Sequence, residues 1–158
     1  RLLAERPTLA ICLGMQLWFD ASDESPGVAG LNFAVGRLRR LPAAPAAPLA
    51  AKANPPSLGG SLRRQRVPHL GWTRVEPAGE AAIAGLPRGC FYFAHSYAAF
   101  EAPPGFDVAM ATHGVPFVAA LRRGPLLACQ FHPELSGAAG QRLLCEFLQE
   151  AERCQGCV

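Results

Sequence analysis

Apolar and polar positions divide the chain into short segments with two different periods. Residues 8–11 (TLAI) form a brief run suited to a buried strand, and from Leu13 an apolar helix is predicted to continue to about Ala21. The polar run Ser22, Asp23, Glu24, Ser25, Pro26, Gly27 ends it. Residues 35–41 (VGRLRRL) alternate apolar and basic side chains, as a strand with one solvated face does. Residues 69–75 and 90–94 read as strands, with a short helix around 81–84 between them. Three more strands, at 107–112, 117–121 and 126–131, are separated by turn residues at 114–116 and 122–125, which predicts an antiparallel meander. Ser136 is placed to cap a last helix, in which Leu143, Leu144, Phe147 and Leu148 recur on one face while Gln141, Arg142, Glu146 and Gln149 cover the wet side.

Composition changes this picture in only a few places. Residues 42–60 are rich in Ala, Pro, Gly and Ser and lack aromatics, so a loosely packed, irregular loop or insertion is expected over 42–66, closed by the basic residues Arg63, Arg64 and Arg66. With 158 residues, 50% of them hydrophobic and 17% charged, the chain can build one globular core, expected over 1–152 with a tail at 153–158. A net charge of +3, scattered and almost all arginine (Lys52 is the one lysine), gives no argument for nucleic acid. Arg37, Arg39 and Arg40 read as a solvated strand face, with a partner or phosphate as the alternative. No run reaches the roughly 18 apolar residues of a membrane span and no signal-peptide core opens the chain, so no membrane is expected and a cytoplasmic location is. Of the six cysteines, Cys90, Cys129 and Cys145 are expected to be small buried hydrophobes, and Cys154 and Cys157 form a lone CxxC pair that makes a weak metal signal. Neither metal nor cofactor is expected.

The candidate chemistry starts at Cys12, where the first strand gives way to the first helix. A side chain on so sharp a turn is pushed out of the sheet edge, and the residues two before and two after, Ala10 and Gly14, are small as such a turn demands. Helix N–H groups aimed at the sulfur are expected to favour thiolate. A second stretch answers it: the apolar strand at 126–131 ends in His132, with Glu134 two positions on, a base and a group to orient it. The sulfur and a ring nitrogen of His132 are expected to lie within about 4 Å. His69 alone reads as a packed histidine, and His95, with Ser96 and Tyr97 after a strand end, as either a site residue or a strand-terminal polar group.

Four motifs together, AICLGMQ at 10–16, VPHLGW at 67–72, FYFAHSY at 91–97 and QFHPE at 130–134, closely resemble class I glutamine amidotransferases, and most of all the glutaminase subunits of imidazole glycerol phosphate synthase. The resemblance implies an α/β, flavodoxin-like three-layer sandwich with a mixed sheet, here lacking roughly two N-terminal βα units, so that the strand at 8–11 is expected to keep one unpaired edge. It implies a Cys12, His132, Glu134 triad, an oxyanion donor in the Leu13 amide, and glutamine-binding roles for Gly14, Gln16, His95, Ser96 and Tyr97. It further implies glutamine as substrate and a (β/α)8 cyclase subunit as heterodimer partner in histidine biosynthesis. Alternatives are the glutaminase domain of another class I amidotransferase or a truncated, non-catalytic binding protein. Two departures bear on the partnership: Leu135 stands where the family usually has lysine, and Thr73 where it usually has asparagine.

Overall fold

The computed structural model describes residues 6–43, 66–79, 85 and 88–155. The helix expected at 81–84 and nearly all of the loop expected at 42–66 lie outside the described residues. Among the described residues nine strands and two α-helices follow in order: β1 (Thr8–Ile11), α1 (Leu13–Gln16), β2 (Phe19–Ser22), β3 (Ala34–Arg40), β4 (His69–Pro77), β5 (Gly89–His95), β6 (Tyr97–Ala98), β7 (Asp107–His113), β8 (Val115–Arg123), β9 (Leu126–Cys129), a 3-10 turn at Pro133–Leu135, and α2 (Gly137–Gln155). Six strands form one sheet in the order β1-β9-β8-β7-β4-β5, and β2, β3 and β6 form a second. β7, β8 and β9 are the expected antiparallel meander, whereas β1 joins β9 in parallel, so the sheet is mixed.

Side-chain alternation along β9 shows how the layers are made. Leu127 and Cys129 enter one apolar cluster, with Phe91, Phe93, Phe117 and Phe131, and this cluster is covered by Leu143 of α2 with Ala139, Leu144 and Phe147 against it. Leu126 and Ala128 enter a second, with Met15, Trp18, Phe19 and Leu38 from α1, β2 and β3. The large sheet is therefore covered by α2 on one face and by α1 with the small sheet on the other, the α/β sandwich that the motifs imply. All four β9 residues are buried, as a strand covered on both faces requires. β1 stands at the end of the strand order, and its Leu9 and Ile11 are half-buried.

Several expectations are corrected. The first helix stops at Gln16 instead of Ala21, because the backbone beyond it is claimed by the returning loop: the Leu17 carbonyl accepts from Leu31 N–H at 2.8 Å and the Trp18 carbonyl from Phe33 and Ala34 at 2.8 and 2.9 Å. Residues 19–22 then pair in parallel with β3. The apolar periodicity of 13–19 is real, but it serves a sheet from Phe19 onward. Cys90 and Cys145 are exposed, since Cys90 occupies the outward phase of β5 between Gly89 and buried Phe91, and Leu148 is exposed on α2. α2 itself continues to Gln155, into the stretch read as a tail. Ser136 does not spend its hydroxyl on α2: it accepts Tyr92 N–H at 2.9 Å and donates to the His132 carbonyl at 2.5 Å. The basic face of β3 is a solvated one, with Arg37 paired to Asp23 at 2.5 Å and Arg39 to Glu101 at 2.7 Å. Among the described residues no helix is long and apolar enough to cross a membrane.

Candidate functional site

Cys12 lies between β1 and α1 with φ 49° and ψ −102°, a left-handed conformation that a non-glycine residue adopts only when its surroundings compel it. Two anchors compel it here. Its N–H donates to the Cys129 carbonyl at 2.7 Å, extending the β1–β9 pairing by one residue, and its carbonyl accepts from Gln16 N–H at 3.1 Å, closing the single turn of α1. A Cβ built at Gly14 would stand 3.5 Å from that of Ala10, so the two small residues are neighbours as expected, although at ordinary van der Waals distance.

The other half of the site follows β9. His132 N–H donates to the Tyr92 carbonyl at 2.8 Å, and the Cys12 thiol faces the Ala94 carbonyl at 3.9 Å. Both groups therefore border one edge of β5, two residues apart, which along a strand is about 7 Å. His132 Nδ1 meets Glu134 Oε1 at 2.7 Å, the contact expected from the HPE spacing. No hydrogen bond joins the thiol to His132; its partners are the Ala94 carbonyl and the Gln130 side-chain amide, whose Nε2 is 3.6 Å from the sulfur.

The Leu13 amide favours thiolate as expected, but burial outweighs it. Burial pushes the Cys12 thiol up from its ordinary value, the Leu13 backbone amide and the Gln130 amide draw it back in part, and the Glu134 charge adds to the rise. α1 has four residues, too few aligned peptide dipoles to outweigh desolvation.

The residues expected to surround a substrate divide into two groups. Gly14 follows Leu13 in α1, and the Leu13 amide meets the sulfur. Gln16, His95 and Tyr97 lie behind it in a bonded network: Gln16 Nε2 donates to the Tyr97 carbonyl at 3.0 Å and to Gln130 Oε1 at 3.1 Å, and His95 Nδ1 meets the same Tyr97 carbonyl at 2.9 Å. The Ser96 carbonyl is likewise taken, by Leu41 N–H at 2.8 Å. The His95 ring is 5% exposed and meets His69 at 3.0 Å, whose other nitrogen meets Thr73 Oγ1 at 2.8 Å. Sequence reasoning gave Gln130 no role. The available signal was a glutamine ending an apolar strand, since a polar side chain that is 0% exposed has to find partners.

Desolvation, with the neighbouring histidines, lowers His69 to about 3; desolvation lowers His95 to about 4 against the Tyr97 bond, which raises it. Both rings are neutral in the fold and protonate in the unfolded chain near the ordinary value of about 6.5. The stability they lend is complete above that pH and declines as pH falls toward 4, by roughly 1 kcal/mol per pH unit for each ring. Denaturant midpoints measured from pH 7 to pH 4.5 should fall accordingly, and His69→Gln should flatten the slope. A slope unchanged by that substitution would remove His69 as its source.

Among the described residues no cluster of His, Cys, Asp or Glu could hold a metal. A family model, that of class-I glutamine amidotransferases, matches residues 1–151. A Deinococcus radiodurans protein named imidazole glycerol phosphate synthase subunit HisH is 42% identical over 146 residues, covering 91% of this chain and 60% of that protein. One of the same name from Methylococcus capsulatus is 41% identical over 153 residues, covering 94% and 64%. An Emericella nidulans protein named imidazole glycerol phosphate synthase hisHF is 35% identical over 159 residues, covering 93% of this chain and 25% of that protein. The chain spans less than two thirds of the length of these curated relatives. With the strained Cys12 elbow and the His132–Glu134 pair on one strand edge and the family model spanning nearly its whole length, this chain belongs to the class-I glutamine amidotransferases.

Proposed function

We propose that the chain is the glutamine-hydrolysing part of an imidazole glycerol phosphate synthase, with Cys12 as nucleophile, His132 as base and acid, and Glu134 holding His132. The observation that carries this is Cys12 held at φ 49° beside the β5 edge that also receives His132. Because burial pushes the Cys12 thiol up, a base assists its attack on the side-chain carbonyl carbon of glutamine, and His132 Nε2 can serve while Nδ1 is committed to Glu134. The sulfur proton passes to His132 and then to the departing nitrogen, the C–N bond breaks, and ammonia leaves a thioester. Water, losing a proton to His132, adds to the thioester; the C–S bond breaks and glutamate departs with the thiol restored. The Leu13 amide is the oxyanion donor, a contribution of about 3 kcal/mol in comparable sites. Sulfur and imidazole come into hydrogen-bond range when glutamine is bound, as catalytic contacts often do.

Glutamine is held beside Cys12 and Gly14, with Gln16, His95 and Tyr97 supporting the site from behind, in one glutaminase domain over 1–152. Ammonia goes to a (β/α)8 cyclase subunit in a heterodimer, for histidine biosynthesis in the cytoplasm. The names of the relatives support this reading, and so does a fused relative about four times the length of the segment it shares with this chain. Leu135, where the family usually has lysine, is 53% exposed and brings no charge to the partner surface.

A diazoketone analogue of glutamine, carrying an electrophilic carbon in place of the side-chain amide, tests the assignment. Peptide mapping should find the label on Cys12, and millimolar glutamine should suppress it while asparagine does not. Label that spreads over Cys90, Cys145 and Cys154, or that glutamine leaves untouched, would refute a glutamine site at Cys12.

A further inference from the structure

Between Thr73 on β4 and the sulfur of Cys12 runs an unbroken chain of hydrogen bonds whose direction the chemistry of one atom settles. The Tyr97 carbonyl can only accept, so the two groups that meet it, His95 Nδ1 at 2.9 Å and Gln16 Nε2 at 3.0 Å, must both donate. On one side, a neutral His95 with its proton on Nδ1 accepts at Nε2, so His69 donates from Nδ1 at 3.0 Å and accepts the Thr73 hydroxyl at Nε2, 2.8 Å away. On the other, Gln16 is fixed with its NH2 toward Tyr97, and its second N–H goes to Gln130 Oε1 at 3.1 Å. With its oxygen so engaged, Gln130 has only its NH2 to offer the sulfur, at 3.6 Å. No link can be reversed without setting two donors or two acceptors face to face inside a network that is buried at His69–His95 and part-buried elsewhere.

We propose that Gln130 is a catalytic residue that presents an N–H to the Cys12 sulfur, and that Gln16, His95, His69 and Thr73 are positioning residues that keep its amide from turning round. The proposal rests on the reading of Cys12 as the nucleophile and adds what that reading leaves open: how a half-buried sulfur at the start of a one-turn helix is still able to ionise. A donor aimed at the sulfur favours thiolate, and a carbonyl in its place would oppose it. The sequence departure at Thr73 belongs to the same device. The hydroxyl supplies the one donor that His69 Nε2 needs, as the side-chain NH2 of the family's usual asparagine also can.

The experiment is alkylation of Cys12 by iodoacetamide as a function of pH, followed on the Cys12 peptide by mass spectrometry so that the other thiols do not contribute. It needs no glutamine, so it stands or falls apart from the glutaminase assignment. Gln130→Met, similar in length and without the amide, should slow labelling near neutral pH about tenfold and move the profile about one pH unit upward. Gln16→Met, which frees the Gln130 amide to turn, should move it in the same direction by about threefold in rate, as should Thr73→Val, while Thr73→Ser should restore the parent profile. A parent profile in folded Gln130→Met would overturn the role of Gln130. If that variant does not fold, Gln16→Met decides, and an unchanged profile there overturns the proposal. A Thr73→Val profile identical to the parent would end the chain at His69 and refute the role of Thr73.

Discussion

Replacing Cys12 by alanine is expected to bring glutamine hydrolysis down to the background of the assay, a loss of at least about four orders of magnitude for a covalent mechanism deprived of its nucleophile. The more telling comparison is with Cys12→Gly. A residue at φ 49° and ψ −102° carries strain of about 1–3 kcal/mol, which alanine retains through its Cβ and glycine relieves. Both variants lose the thiol, both are inactive, and the glycine variant should be the more stable of the two by about 1 kcal/mol. Elsewhere a glycine for alanine weakens a fold through backbone entropy, so the order of the two stabilities reports on the elbow alone. Denaturant unfolding of the pair measures it. A glycine variant less stable than the alanine variant would mean that the backbone at Cys12 is relaxed, and the case for a compelled nucleophile would go with it. Alkylation by the diazoketone should fail in both, whereas labelling of the surface thiols Cys90, Cys145 and Cys154 by iodoacetamide should be unaffected.

The site was legible where its chemistry depends on neighbours in sequence. Cys12 between a strand and a helix, with Ala10 and Gly14 on either side, and His132 two residues before Glu134 are local patterns, and the elbow dihedrals and the 2.7 Å His132–Glu134 contact are what such patterns produce. The meander of β7, β8 and β9 was legible for the same reason, since turn residues punctuate an alternating pattern. What was not legible depends on residues far apart in sequence. The first helix gives way to β2 because Leu31, Phe33 and Ala34, 14 to 16 positions later, supply hydrogen bonds to Leu17 and Trp18, and no local propensity reports that. The Cys12 thiol is raised because elements distant in sequence, β5 and the end of β9, close around it, and that burial outweighs the short helix that the local pattern announces. Gln130 donates to the sulfur because Gln16, 114 positions away and itself held by the Tyr97 carbonyl, engages the other end of its amide. His95 could be read two ways from its sequence position. The His69 ring against it and the Tyr97 carbonyl tie it into the hydrogen-bonded network that reaches Cys12.

Gly140 lies in the first helical turn of α2, where an alanine would ordinarily strengthen a helix by about 1 kcal/mol. Here Gly140→Ala is expected to do the reverse. A Cβ at this position would stand 1.8 Å from the Pro133 carbonyl oxygen, 2.7 Å from its carbon and 2.9 Å from the Ser136 Cβ. Two of these three atoms are backbone, so no side-chain rotation relieves the overlap, and α2 must withdraw from the turn at Pro133–Leu135 or push it aside. That turn is pinned from both ends. Ser136 ties the His132 carbonyl to the Tyr92 N–H, and the Gly140 N–H reaches back to the Ser136 carbonyl at 3.1 Å. Moving Pro133 therefore moves the two residues that flank it, His132 and Glu134. The cost in stability should be at least 2 kcal/mol, as for an overpacked core position. Because a displacement of about 1 Å at a catalytic group can cost a factor of about 100, glutamine hydrolysis should fall by one to two orders of magnitude even in the fraction that remains folded. Gly79→Ala, where nothing lies within 4 Å, serves as the control and should leave both stability and activity near the parent values. Thermal unfolding and glutamate release measured on the same preparations separate the two effects. A Gly140→Ala protein as stable and as active as the Gly79→Ala control would show that α2 does not press on the turn that carries Glu134.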